Sequence, residues 1–256
     1  MMQPLTRLFP VVAAAVLALT GCVDPLPPRW HDLPGTVRLD LGLHWNGAPI
    51  ALGDTVTDHL GHPVTLTNVQ FYLNGLELQD LDGTWHSVGD IRLVDFNREA
   101  PTVVEEVPPG TYTAMRFGVG IPKALNTNID PASYPNDHPL SFQGSSGMFW
   151  TWSTGYIFFK YEGKAGTAVG EPIEAPISYH LGTDLSYRTI TLPFDYPMYV
   201  TAREVLPIPV AFDGARLLDG PAGSIDVIED PVSHNAPGTE LPDRLLALLE
   251  TSFYLP

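Results

Sequence analysis

The residues best suited to chemistry in this chain are its imidazoles. Eight histidines occur, His31, His44, His59, His62, His86, His138, His180 and His234, beside a single cysteine, Cys22. Imidazole is the natural ligand for copper or zinc where thiolates are missing. No two of these histidines stand in HxxxH or HExxH spacing, so a zincin-type site is not supported. No GxSxG, P-loop or strand-following GxGxxG occurs either, which leaves hydrolase, NTPase and dinucleotide readings without a motif. No carboxylate pair is singled out for glycosidase work. The other conspicuous chemistry is aromatic: Met148, Phe149, Trp150, Thr151, Trp152, then Tyr156, Phe158 and Phe159. An indole N–H donates but offers no lone pair, so tryptophan ligates a metal only after chemical conversion.

Composition narrows the setting. Arg7, the apolar run Val11–Leu19 and Leu19-Thr20-Gly21-Cys22 form a short secretory signal, with small residues before a cysteine. Such a run is too short to span a bilayer as a helix. Residues 1–21 are expected to be removed. Cys22 opens a proline-rich tether over 22–35, and the folded domain covers 36–256. If Cys22 carries lipid, the mature domain has no thiol, and thiolate metal sites, cysteine nucleophiles and CxxC redox chemistry are excluded. The formal charge of −16 falls by one more when Arg7 is removed, which argues against nucleic acid and anionic membrane surfaces as partners.

Strands must position these groups. Thr36 to Trp45 alternates strictly, with Val37, Leu39, Leu41 and Leu43 on one face. Asn46-Gly47 follows as a turn. Further strands are predicted over 64–78, 85–95, 111–120, 177–181, 187–194 and 205–212, the last an edge because of its two prolines. Residues 121–146 read as a long loop leading into the Trp150 strand. There, i and i+2 share a face, so Met148, Trp150 and Trp152 should line one side. Residues 242–253 form the one convincing helix. The whole predicts a mostly-β fold, a two-sheet antiparallel β-sandwich with long loops and one C-terminal helix.

The block Gly147-Met-Phe-Trp-Thr-Trp-Ser-Thr-Gly-Tyr-Ile-Phe-Phe-Lys-Tyr-Glu-Gly163 resembles the signature of MbnP-like copper-binding proteins. Val69–Asn74, Ile91–Asp95, Pro109–Tyr112, Arg116–Gly120, Ser178–Gly182 and Ser233-His234 match in family order. The resemblance implies a copper protein, binding Cu(I), whose first tryptophan of the WxW pair is oxidised to kynurenine by a diheme, MbnH-type peroxidase partner. Carried over, Trp150 is the modified residue and Trp152 its neighbour. His44 and His180 are the expected copper ligands with converted Trp150, and His234 is a further candidate. Met148 could offer a thioether but suits packing better. This chain lacks the four-cysteine motif of some relatives. The lipobox resemblance at Leu19–Cys22, with Val23 after it, implies a periplasmic protein anchored to the outer membrane by lipid alone. The expected role is copper homeostasis, not catalysis. The rival expectation is a cell-envelope lipoprotein that binds a carbohydrate or a protein through exposed aromatics, with its histidines scattered. Redox turnover at copper is a third reading.

Overall fold

The computed structural model describes residues 33–98, 101–126, 129–151, 154–234 and 237–256. The signal segment and Cys22 lie outside them. In chain order the strands begin with β1 (Gly35–Trp45), β2 (Ala48–Pro49), β3 (Thr55–Thr57), β4 (Pro63–Asp80) and β5 (Trp85–Ser87). Then come β6 (Arg92–Asp95), β7 (Thr102–Val107) and β8 (Gly110–Val119), followed by a short helix α1 (Lys123–Asn126). The aromatic block supplies β9 (Phe149–Thr151) and β10 (Gly155–Ala165). After it run β11 (Ala175–Gly182), β12 (Arg188–Val200), β13 (Val205–Asp213) and a helical turn α2 (Gly214–Leu218). The chain closes with β14 (Asp219–Gly220), β15 (Gly223–Ser224), β16 (Val232–Ser233), α3 (Glu240–Leu249) and β17 (Phe253–Tyr254).

Two sheets face one another. The smaller runs β17-β13-β1-β2 with β7 also on β1. The larger runs β12-β8-β4-β10-β11-β16, with β3, β5 and β6 on β4 and β9 on β10. The mostly-β reading holds, but the sheets are mixed and not purely antiparallel. β1 and β13 lie parallel from Thr36↔Val205 to His44↔Asp213, and β11 pairs β16 in parallel. Parallel neighbours need a long connection, and here the excursion through the larger sheet supplies it. The proline-bearing part of β13 does lie at an edge, because β17 reaches only Ala211 and Phe212.

The alternation of β1 buries Val37, Leu39, Leu41 and Leu43 against Val69, Phe71, Phe159 and Tyr161 of the opposite sheet. Each such side chain contributes about 1.5–3 kcal/mol when removed from water. Phe253 closes this core, its ring 5.2 Å from Phe71, 5.5 Å from Phe117 and 5.2 Å from Phe212. A second, smaller core lies apart from it, and there residues of the 121–151 segment cover the larger sheet: Tyr72, Ile91, Ile121, Leu140, Met148, Tyr156, Ile157 and Phe158. Trp150 packs at its margin. The long strand foreseen over 85–95 is instead β5 and β6 with a gap between. The helix expected over 242–253 begins two residues earlier, and its last turn gives way to β17.

Candidate metal centre

Strand register builds the site. β10 and β11 are antiparallel neighbours that set Lys160 opposite His180 and Glu162 opposite Ser178. Alternation sends Phe159, Tyr161, Tyr179 and Leu181 into the large core, so Glu162, Ser178 and His180 share the other face. Two parallel pairs, Ser178↔Val232 and Tyr179↔Ser233, bring β16 alongside and place His234 just beyond it. The His180 and His234 rings stack at 4.3 Å between centroids, 9° from parallel. Trp150 meets both edge-on, at 6.1 Å from His180 and 6.4 Å from His234. Gly182 makes room: a Cβ there would stand 3.4 Å from the Trp150 ring. Lys160, buried, donates from Nζ to the Gly147 carbonyl at 3.2 Å and so ties down the turn that leads into β9.

Polar contacts define the state of the rings. His180 Nε2 lies 2.6 Å from Glu162 Oε1, and Glu162 Oε2 accepts from Asn68 Nδ2 at 2.9 Å. Ser178 Oγ lies 2.8 Å from His234 Nε2 and 3.4 Å from His180 Nε2. Burial pushes the His180 pKa down, and the charge of His234 adds to that, against the opposing pull of Glu162. Burial would raise the Glu162 carboxyl, yet hydrogen bonds from His180 and Asn68 and the Lys160 charge outweigh it and hold it below its usual value. The pair is therefore a neutral imidazole beside a carboxylate. A carboxylate only accepts, so His180 carries its proton on Nε2. Its Nδ1 is then a buried lone pair, with no hydrogen-bond partner among the described residues. Leaving such a group unsatisfied costs about 1–3 kcal/mol.

That unpartnered nitrogen is what a copper or zinc ion would take, and a thiol-free set of imidazoles suits either metal. The set is not closed, however. Among the described residues no three His, Cys, Asp or Glu side chains form a ready metal-binding group. Parallel stacked rings aim their in-plane lone pairs along parallel planes, so one ring must turn before both could reach one ion. His234, exposed on a loop, is the freer of the two.

His180, His234 and Trp150 thus converge, whereas His44 does not. It is the penultimate residue of β1 in the smaller sheet, buried, with Nδ1 2.7 Å from the Tyr254 hydroxyl and its ring edge-on to Tyr254 at 5.8 Å. The expected ligand pair of His44 and His180 is not brought together in this structure, because the two strands belong to opposite sheets. Met148 is fully buried in the small core, a packing residue of the cluster on which Trp150 rests. The aromatic block is a hairpin, not one strand, and Trp152 falls outside the described residues. Other histidines have local partners: His62 with Asp58 at 3.1 Å, His86 with Asp80 at 2.7 Å, and His138 stacked on Tyr134 at 4.3 Å. Sequence reasoning missed Glu162, Ser178 and Asn68. The signal for Glu162 was Lys160-Tyr161-Glu162, two charged residues alternating with core aromatics on one strand.

The family model for MbnP matches residues 34–235. Among solved structures, MbnP from Methylosinus trichosporium is similar, at 19% identity and a TM-score of 0.51, with 75% of this chain and 80% of that one covered. At that identity the likeness establishes a shared fold. No curated protein matches the chain. With most of the described β domain inside the family match, the chain belongs to the MbnP family.

Proposed function

We propose that this is a copper-binding protein of the cell envelope, not an enzyme, with His180 at the centre of its site. The observation that carries the reading is the buried, unpartnered Nδ1 of His180, with His234 stacked on the ring and Trp150 edge-on to both. The MbnP family is copper-associated, which favours copper over zinc. In this reading a diheme peroxidase partner, using two equivalents of peroxide as the four-electron oxidant, converts Trp150 to kynurenine with the ring carbon leaving as formate, which gives the strand an aryl amine and a ketone oxygen where the indole offered no lone pair. Copper would then be held as Cu(I), which imidazole and a neutral nitrogen donor suit. Lipidation of Cys22 would tether the domain to the outer membrane on its periplasmic side. The rival carbohydrate- or protein-binding reading asks Trp150 to be an open platform. Its half-buried place between the small core and two imidazoles does not favour that.

Protein produced with its peroxidase partner is expected to bind Cu(I) and to yield a Trp150 peptide about 4 Da heavier, one carbon lost and one oxygen gained. Full copper occupancy with an unmodified Trp150 would sink the maturation step. His180→Ala should weaken copper binding in chelator competition by more than the roughly 10- to 100-fold typical of losing a supporting partner. Unchanged affinity would remove His180 from the site.

A further inference from the structure

Glu162 stands within a line of hydrogen bonds that has a direction. Asp95, buried at the end of β6, has a carboxylate that only accepts. Asn97 donates from Nδ2 to Asp95 Oδ1 at 2.8 Å and to Asn68 Oδ1 at 2.7 Å. The orientation of an amide is fixed by its hydrogen-bond network, and here the carboxylate sets it. With its carbonyl turned to Asn97, Asn68 must present Nδ2 to Glu162, where it donates to Oε2 at 2.9 Å. Glu162 Oε1 receives the 2.6 Å bond from His180 Nε2. The line crosses β6, β4, β10 and β11, and each link leaves the next one choice.

We propose that Glu162 is a positioning residue for the metal: by holding the Nε2 proton it fixes the His180 tautomer and makes Nδ1 the ring atom offered to copper. This rests on the copper reading above and deepens it. Metal-ligating histidines characteristically give their second ring N–H to a carboxylate or carbonyl, which orients the ring and raises its basicity. Here the acceptor is in place, and the opposite nitrogen is the one left without a partner among the described residues. Asn68 and Asn97 act one step further back, holding the amide that keeps Glu162 accepting.

The test reads the tautomer directly. In the full-length, metal-free chain with labelled histidine, long-range 1H–15N correlation at neutral pH should show His180 protonated at Nε2. In Glu162→Gln, Asn68 still donates toward position 162 and takes the new carbonyl. The new NH2 then faces His180, whose proton must move to Nδ1. Cu(I) affinity, by chelator competition, should drop about 10- to 100-fold with this change. Exchanging acid and amide in the double variant Asn68→Asp/Glu162→Gln reverses the direction of the Asn68–Glu162 bond while conserving charge. It should restore both the Nε2 tautomer and most of the affinity, which a merely structural role for Glu162 would not do. A wild-type His180 protonated at Nδ1 overturns the proposal. So does a folded Glu162→Gln protein with tautomer and affinity unchanged, or a folded double variant that restores neither. His180→Ala with intact copper binding overturns the copper reading itself and the ligand assignment with it. An unchanged tautomer in Glu162→Gln, with binding still lost in His180→Ala, removes only the positioning role.

Discussion

His180 and His44 are both histidines on strands of one small domain, and their neighbours give them opposite characters. His180 has a carboxylate on one nitrogen and, among the described residues, no partner on the other, whereas His44 spends Nδ1 on the Tyr254 hydroxyl. His44→Phe should therefore leave copper affinity unchanged and lower stability by about 0.5–1.5 kcal/mol, the worth of one ordinary hydrogen bond, in denaturant melts. A large loss of copper binding in that variant would return His44 to the site. The sequence singled out both residues, along with Trp150 and His234, but it could not separate them. What distinguishes them is the sheet each strand joins, and that depends on pairing far along the chain, Asp213 for His44 and, through β10, Gln70 for the strand pair that holds His180. Glu162 was legible only as a polar residue alternating with aromatics, and its use depends on Asn68, a residue of another strand.

At the scale of elements, the hairpin β9–β10 decides where Trp150 stands. The aromatic block reads as one strand, since aromatic and β-branched residues all favour extended backbone. Gly155, at φ +72°, breaks it, and a lone glycine within a strand pattern is the sequence sign of such a bend. Asn126 fastens the bend: its Oδ1 accepts from Tyr156 N at 3.1 Å and its Nδ2 donates to Asp184 at 2.9 Å. Gly182 sits opposite, where a Cβ would come within 2.8 Å of the Tyr156 carbonyl and 3.4 Å of the Trp150 ring. A backbone carbonyl paired in a sheet cannot yield cheaply. Gly182→Ala is thus expected to cost about 1–3 kcal/mol through overpacking and to shift Trp150. A lower melting temperature and altered Trp150 fluorescence would register both effects; a wild-type melt would show that the hairpin has slack.

For the whole molecule, the alternation of β1 was enough to foresee a half-buried strand, and the count of strands enough to foresee two facing sheets. Strand direction was not legible, because the hydrophobic pattern of a strand is the same read toward or against its neighbour. The closing of the core by Phe253 was hidden for a related reason: it reads as the tail of a helix until its contacts with Phe71, Phe117 and Phe212 are seen. Phe253→Ala should cost about 3–5 kcal/mol in urea unfolding, as for a large aromatic lost from a packed core. A change under 1 kcal/mol, on the scale of ordinary surface substitutions, would mean that β17 is not part of the closure.

The parallel pairing of β1 with β13 has a bearing on time as well as on shape. Thr36 finds its neighbour at Val205, so this pair closes only across a very long loop. In the larger sheet β9–β10 and β10–β11 are neighbours in sequence, while β4–β10 and β8–β12 close across long stretches as well. Folds dominated by distant pairings form in milliseconds to seconds, slower than those built from local contacts. In refolding, the adjacent strands β9, β10 and β11 that carry the metal site should therefore pair early and β1 with β13 late. Until then the apolar face of β1 is uncovered, and in that interval the chain is most open to pairing with something other than itself.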